Sequence, residues 1–491
     1  MASPVLKRDS PIIIVGAGAF GLSTALHLAE RGYKKVTVFD KQPYDASLYS
    51  YFKGADAASA DINKIVRTAY GAVTLYQDLS FEGVDGWKAW DEEIASGRTV
   101  PPGMTTADRV FIPNGNLSMT DADTLPQFER DTVINVEKAG YKTQLISGYA
   151  PHEELARQTG FSFGLDPFRR KQRGKSNTAV LDSAGGMAVA DKACRFALHK
   201  ARKLGVRFVL DQQAGAFESL CYADSSAKKI VGIKTRDGKM HNASLTIVAC
   251  GGWTPAVIPQ LDGLCEASAG SVVIYKIPKE SPLWDRLGAD QFPTWMWNMR
   301  NGAEGGLYGF PRDENGLFKI GYRGTKYTNP TVQADGKERS TPITRWSDGE
   351  KLTTIPTQAL KVISNFVNEY LPELGQEGIT IHTTRICWYN DSYDNHLVID
   401  RVPDTDGLMV ATAGSGHAFK YMPCIGKWMA DIAEGIGLDR PAVQAWKWRA
   451  RRVDEAPINV LMEGKAGKRA LGNVPLVSQA ELAGGTARSR L

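Results

Sequence analysis

The chain has 491 residues, 43% hydrophobic and 23% charged, with 59 Lys/Arg against 54 Asp/Glu for a net charge of +5. That length exceeds one compact core and predicts two or three lobes, and the composition is that of a soluble globular protein. No long Lys/Arg run marks a nucleic-acid surface, no stretch of 18 apolar residues marks a membrane span, and charges within residues 1–10 interrupt any secretory signal core.

The first element carries the strongest local signal. Residues 11–15 form an apolar strand that runs into Gly16-Ala17-Gly18-Ala19-Phe20-Gly21, a G-x-G-x-x-G turn. A helix follows from Phe20 to Arg31, stopped by Gly32, and then a second strand, Val36 to Asp40. Gly16 permits the tight turn, Gly18 lets the backbone approach a pyrophosphate, and Gly21 lets the helix pack close to the strand. The N–H groups at the helix start favour negative charge. Asp40, 24 residues after Gly16, can accept hydrogen bonds from a ribose hydroxyl pair. An acid at that place favours an unphosphorylated ribose, hence FAD or NAD over NADP.

Further along, Tyr76 to Glu93 shows helical apolar spacing, and Met187 to Leu204 shows a second, stronger 3,4 rhythm ended by Gly205. Val206–Leu210 reads as a strand, Ile230–Thr235 as part of a hairpin, and Ser244–Gly252 as a buried strand ending in two glycines beside a ligand. From about Cys265 to Thr384 the pattern becomes short alternating strands at 271–275, 306–310 and 318–322, which predicts an antiparallel sheet. Leu408 to His417 is again strand into glycine turn, followed by a helix through Met429 and Ile432. The nucleotide lobe is therefore expected to be discontinuous. Cys194, Cys221, Cys250, Cys265, Cys387 and Cys424 form no C-x-x-C and no zinc spacing, so reduced thiols and no metal are expected.

Five segments together resemble the FAD-dependent amine oxidases of the monomeric sarcosine oxidase type. They are the N-terminal fingerprint, 61–71, 181–206, 308–322 and 385–420. Within that group the chain is similar to the fungal branch of saccharopine and pipecolate oxidases and fructosyl amino acid oxidases (amadoriases). The likeness spans Pro11 to about Gly437 and is weakest over 97–175. It implies an α/β fold: a discontinuous Rossmann-type FAD-binding domain and a second α+β substrate domain built on an antiparallel sheet. The expected layout is an FAD-binding part at 1–98, a substrate-domain insert at 99–175 and a second FAD-binding part at 176–262. The substrate sheet follows at 263–384, a third FAD-binding part at 385–455 and a flexible tail at 456–491.

The resemblance also implies roles. Cys387, in Arg385-Ile386-Cys387-Trp388-Tyr389, matches the cysteine that forms a thioether to the flavin, with Arg385 and His382 as cations near it. Cys424 is a second candidate linkage, with core packing its expected role. Lys319 matches the lysine that promotes O2 reduction by stabilising superoxide. Arg67 and Lys420 match the pair that holds a substrate carboxylate, and Tyr308 and Tyr389 match tyrosines that flank the substrate. Arg323 stands where sarcosine oxidase has a histidine and points to a substrate with a second acidic or acceptor group. Lys64 matches an arginine near the flavin. Lys41, Ser59, Asn63, Gly251, Trp253, Gly414, Gly416, His417 and Phe419 complete the expected cofactor contacts.

The implied reaction takes the C–N bond of a secondary amine or N-substituted or cyclic amino acid to an imine, with O2 reduced to H2O2. Two alternatives share the fold. One is oxidative cyclisation of an N-methyl amino acid derivative in fungal secondary metabolism. The other is fructosyl amino acid oxidation, against which the run 65–71 weighs because it is closer to the sarcosine and saccharopine oxidases. An NAD-dependent dehydrogenase is the reading of the fingerprint alone. A monomer is expected. The terminal Ser489-Arg490-Leu491 is a variant of the peroxisomal S-K-L address, which an import receptor would read.

Overall fold

The computed structural model describes residues 6–55, 57–226, 228–452 and 454–483. The apolar run Ile12–Val15 forms the centre of a six-stranded sheet, because a strand flanked on both sides by parallel neighbours is buried on both faces. The order across this sheet is Val398–Arg401, Leu408–Thr412, Leu245–Val248, Ile12–Val15, Val36–Asp40 and Arg207–Leu210. Only the first pair is antiparallel. Helices Ala19–Glu30, Ala190–Lys203 and Ile425–Glu434 contribute to the core that packs against it. The sheet thus gathers strands from three separate stretches of chain, as the discontinuous lobe requires.

A second, eight-stranded sheet has the order Ile381–Ser392, Cys265–Lys276, Leu317–Tyr327, Leu307–Gly309, Thr294–Trp297, Asn116–Met119, Ala179–Asp182 and Gln144–Ile146. Its other core side is filled by Phe168, Trp295, Phe366 and the helix Thr357–Tyr370. The expected antiparallel sheet is present, with one parallel pairing, between Thr294–Trp297 and Asn116–Met119. The stretch 99–175 is woven into this sheet through two of its strands. The expected boundary at 385 falls inside the continuous strand Ile381–Ser392, so Cys387 sits on the substrate sheet.

Two other expectations change. Met187–Val189 is not helical; it belongs to the strand Gly186–Val189, which pairs with Asn63–Val66 and Phe111–Ile112. The helix starts only at Ala190. The supposed tail from 456 is packed as far as 478. Ala470, Leu471 and Val477 are buried. Leu471 N–H donates to Thr328 O at 2.8 Å, and Val477 N–H donates to Ile355 O at 2.9 Å. A few apolar side chains docking on the substrate core outweigh the polar composition of that stretch. The terminal Ser489-Arg490-Leu491 lies outside the described residues. No helix among the described residues is long and apolar enough to cross a membrane.

Candidate active site

A cavity of about 440 Å³ runs between the two sheets. At one end lies the glycine turn. Gly16 has φ +107°, and a Cβ there would stand 2.4 Å from Ala249 O, so only glycine fits. A Cβ on Gly21 would stand 1.8 Å from Gly16 O, which is the close helix–strand packing the fingerprint predicts. Gly21 is therefore the one expected cofactor residue that packs behind the cavity wall instead of lining it. Gly18, Ala19 and Phe20 face the cavity at the start of a helix whose first turn has no acidic residue. Ser59 Oγ accepts the Ala19 N–H at 3.0 Å.

Asp40 lines the same end and is buried. Its carboxylate already accepts the N–H groups of Ala17 (2.7 Å) and Gln42 (2.8 Å), leaving further lone pairs for a ribose. Burial pushes its pKa up, against those two hydrogen bonds. Lys41, Gly251 and Trp253 are beside it, with Lys41 Nζ 4.8 Å from the Trp253 ring centroid.

Lys64 and Lys319 line the middle of the cavity and belong to a charge cluster centred on Asp61, which itself lies outside the lining. Its carboxylate lies 2.8 Å from Lys64 Nζ, 3.0 Å from Lys319 Nζ and 3.5 Å from Arg385 Nη1. Burial alone would raise the carboxyl pKa, but the three cations outweigh it and hold the pKa far below the usual carboxylate range. Lys319 is 1% exposed. It donates to Asn63 O at 2.8 Å and stands 4.4 Å from the Phe310 ring centroid. Burial brings its pKa down to about 8, with Asp61 opposing and Lys64 reinforcing the fall. For Lys64 the same burial is outweighed by Asp61, and its pKa goes up. Cys387 is buried in the cavity wall with Lys64 Nζ 3.9 Å from its Sγ. Arg385 was expected to serve this thiol; instead it donates to the carbonyls of Ala57 and Ala60 (2.9 and 2.8 Å). Cys424 lies in the core of the first lobe, its thiol donating to Tyr421 O, and does not line the cavity.

At the far end are Arg67, Arg323 and Lys420, together with Tyr308 and Tyr389, whose hydroxyls are 3.3 Å apart. Burial pushes the Tyr389 phenol up to about 12 and the Tyr308 phenol well above its ordinary value, so both stay neutral. Arg67 lies over the Tyr70 ring, Cζ to centroid 4.5 Å, and its buried Nη1 has no hydrogen-bond partner among the described residues. The segment bearing it, just past the strand Asn63–Val66, is anchored one residue on, where Thr68 N–H donates to Asp182 at 2.5 Å. Burial pushes Lys420 well below its ordinary pKa, and the charges of Arg67 and Arg323 add to this. Gly414, Gly416, His417 and Phe419 line the adjoining wall.

The chain thus brings the expected substrate and cofactor contacts except Gly21 to one cavity, while Arg385, His382 and the second candidate cysteine Cys424 do not line it. Seven Lys and Arg side chains line it (Lys41, Lys64, Arg67, Arg236, Lys319, Arg323 and Lys420) against a single acid, Asp40. Such a wall calls for an anionic occupant. A bound FAD fits the residues present. The glycine turn and helix start suit its pyrophosphate, Asp40 its ribose, and the unpartnered side-chain amide of Asn63 lies in the wall between the two ends. Asp61 and Tyr70 are parts of the site that sequence reasoning did not assign. Lys319 and Arg385, which converge on Asp61, and Lys420, Tyr421 and His417, which meet the Tyr70 hydroxyl, are hundreds of residues away, so no local spacing betrays them.

A dinucleotide lobe opening onto a chamber of this kind defines a dinucleotide-dependent oxidoreductase. Residues 11–432 match the family described as FAD dependent oxidoreductase (DAO), and the chain belongs to that family. It is similar to the L-saccharopine oxidase of Schizosaccharomyces pombe, 27% identical over 446 residues that cover 89% of this chain and 93% of that protein. The peroxisomal sarcosine oxidase of Homo sapiens is 24% identical over 423 residues, covering 86% and 91%. Among solved structures, the fructosamine oxidase Amadoriase II of Aspergillus fumigatus superposes with TM-score 0.68 at 25% identity over 90% of both chains. A modified fructosyl peptide oxidase of Aspergillus nidulans gives TM-score 0.75 over 96% and 99% of the two chains; at 22% identity this shows the fold alone.

Proposed function

We propose that this protein oxidises the C–N bond of an N-substituted or cyclic amino acid to an imine, with O2 reduced to H2O2. The observation that carries this reading is the buried, unpartnered Arg67 Nη1 in a chamber shared with Lys420 and walled by two neutral tyrosines. A buried donor without a partner costs about 1–3 kcal/mol, and a carboxylate satisfies it with a charge-assisted, bidentate bond. The relatives named for saccharopine and sarcosine oxidation agree with an amino acid occupant. When bound, FAD supplies the two-electron acceptor and then the reductant of O2.

The chain's own residues do the rest. Arg67 and Lys420 hold the carboxylate, and Tyr308 and Tyr389 shape an apolar wall that orients the amine. Lys319, kept close to Asp61, stabilises negative charge developing on oxygen. Cys387 is the reading for covalent attachment of the cofactor, supported by its place in the cavity wall beside Lys64. Arg323, which has no acid partner among the described residues, is left to meet a second acidic group.

A peroxide-coupled screen tests this. Sarcosine, pipecolate and saccharopine are compared with the same amines lacking the carboxylate. The amino acids should turn over and the bare amines should not. Arg67→Ala should raise KM by roughly 10–150-fold, the equivalent of about 1.5–3 kcal/mol for a hydrogen bond to a charged group. Equal turnover of carboxylate-free amines would contradict the proposal.

A further inference from the structure

An amino acid in water carries its amine as an ammonium, and that proton must leave before the C–N bond can be oxidised. Lys420 is 2% exposed, and its Nζ has one hydrogen-bond acceptor, the Tyr70 hydroxyl at 2.5 Å. An ammonium has three donors to satisfy. No Asp or Glu pairs with Nζ among the described residues, while Arg67 and Arg323 line the same chamber. A buried charge without a counter-ion neutralises itself.

The surrounding hydrogen bonds fit a neutral amine and leave no other acceptor. Tyr70 Oη also accepts the Tyr421 hydroxyl at 2.6 Å and donates its own proton to His417 Nδ1 at 2.9 Å. His417 Nε2–H donates to Asn395 O at 3.1 Å. Both nitrogens of a neutral His417 are thereby used, and burial with the nearby cations holds its pKa well down. Asp182, the acid that faces Lys420 from the neighbouring sheet, is occupied by Thr68 N–H and Oγ1–H. From the helix Thr74–Ala95, Trp87 offers only a donor, its Nε1–H binding Lys420 O at 2.7 Å.

We propose that Lys420 enters the reaction as a neutral amine and accepts the proton that the amino acid's ammonium gives up on binding. This rests on the carboxylate site described above. One substrate N–H bond breaks and one Lys420 Nζ–H bond forms, with no net exchange with solvent. The substrate is left with a free nitrogen lone pair. The new lysine ammonium pairs with the substrate carboxylate, whose arrival is what makes Nζ a strong base. The carboxylate is thus read twice: by Arg67 as an anchor and by Lys420 as the trigger for deprotonation.

The test uses a ligand with the carboxylate but no amine. It is the ether isostere of whichever amino acid turns over best, tetrahydropyran-2-carboxylate for pipecolate. Binding to the flavin-loaded enzyme near neutral pH is followed by titration calorimetry in buffers of different ionisation enthalpy. The wild type should take up about one proton per bound carboxylate, drawn from buffer because the ligand brings none. Lys420→Arg, always charged, should bind with no uptake. His417→Gln should retain the uptake. Binding by the wild type without proton uptake, or uptake that survives in Lys420→Arg, overturns the inference while leaving the carboxylate site standing. An isostere that neither releases heat nor perturbs the flavin spectrum overturns both.

Discussion

Asp61→Asn removes the one negative charge among three buried cations. Asp61 and Arg385 are 5% and 6% exposed at the side chain, Lys319 2% and Lys64 19%, so solvent screens the cluster poorly. Breaking a buried ion pair by deleting one partner costs about 3–5 kcal/mol. At about 2.1 cal/mol/K per residue, unfolding this chain carries an entropy of about 1 kcal/mol/K. The melting temperature of Asp61→Asn should therefore fall by about 3–5 °C. Because the folded carboxyl lies below its unfolded value near 3.9, the Asp61 contribution is present above that pH and is lost as pH falls further. Wild type and variant should differ at neutral pH and converge in acid. The assay is thermal unfolding by circular dichroism at a series of pH values. A shift under 1 °C at neutral pH, or a gap that widens in acid, would refute this account of the cluster.

Other consequences follow from the same cavity. With the Lys319 pKa brought down to about 8, its charge is present below that pH and lost above it. The rate of reoxidation by O2, measured by stopped flow, should fall as pH rises through about 8, and Lys319→Met should be slower by roughly 10²–10³-fold and insensitive to pH there. Cys387→Ala should release its flavin into the supernatant on acid precipitation, whereas Cys424→Ala should behave as the wild type, since Cys424 packs in the core away from the cavity.

What could be read from the sequence was what local pattern encodes. The fingerprint, its flanking strands and Asp40 declare themselves because they follow one another in order along one short stretch of chain. Lys319 is assigned by its match to the family's oxygen-site lysine, because its alternation with Phe318 and Ile320, which face the core, fits a surface lysine equally well. The rest depends on contacts between distant stretches. Asp61 is two residues before a short strand, and nothing nearby shows that Lys319 and Arg385 will converge on it. Met187 and Ala188 fit a helical rhythm equally well, and only their pairing with Asn63–Val66 makes them a strand. Tyr70 looks like one aromatic among many until the fold sets Lys420, Tyr421 and His417 around its hydroxyl.

The most direct test of the account is anaerobic mixing of the purified yellow protein with a secondary amino acid such as pipecolate, sarcosine or saccharopine. Bleaching of the flavin absorbance, restored by O2 with one H2O2 formed per flavin, is the result expected. A flavin that none of these amino acids bleaches would contradict it.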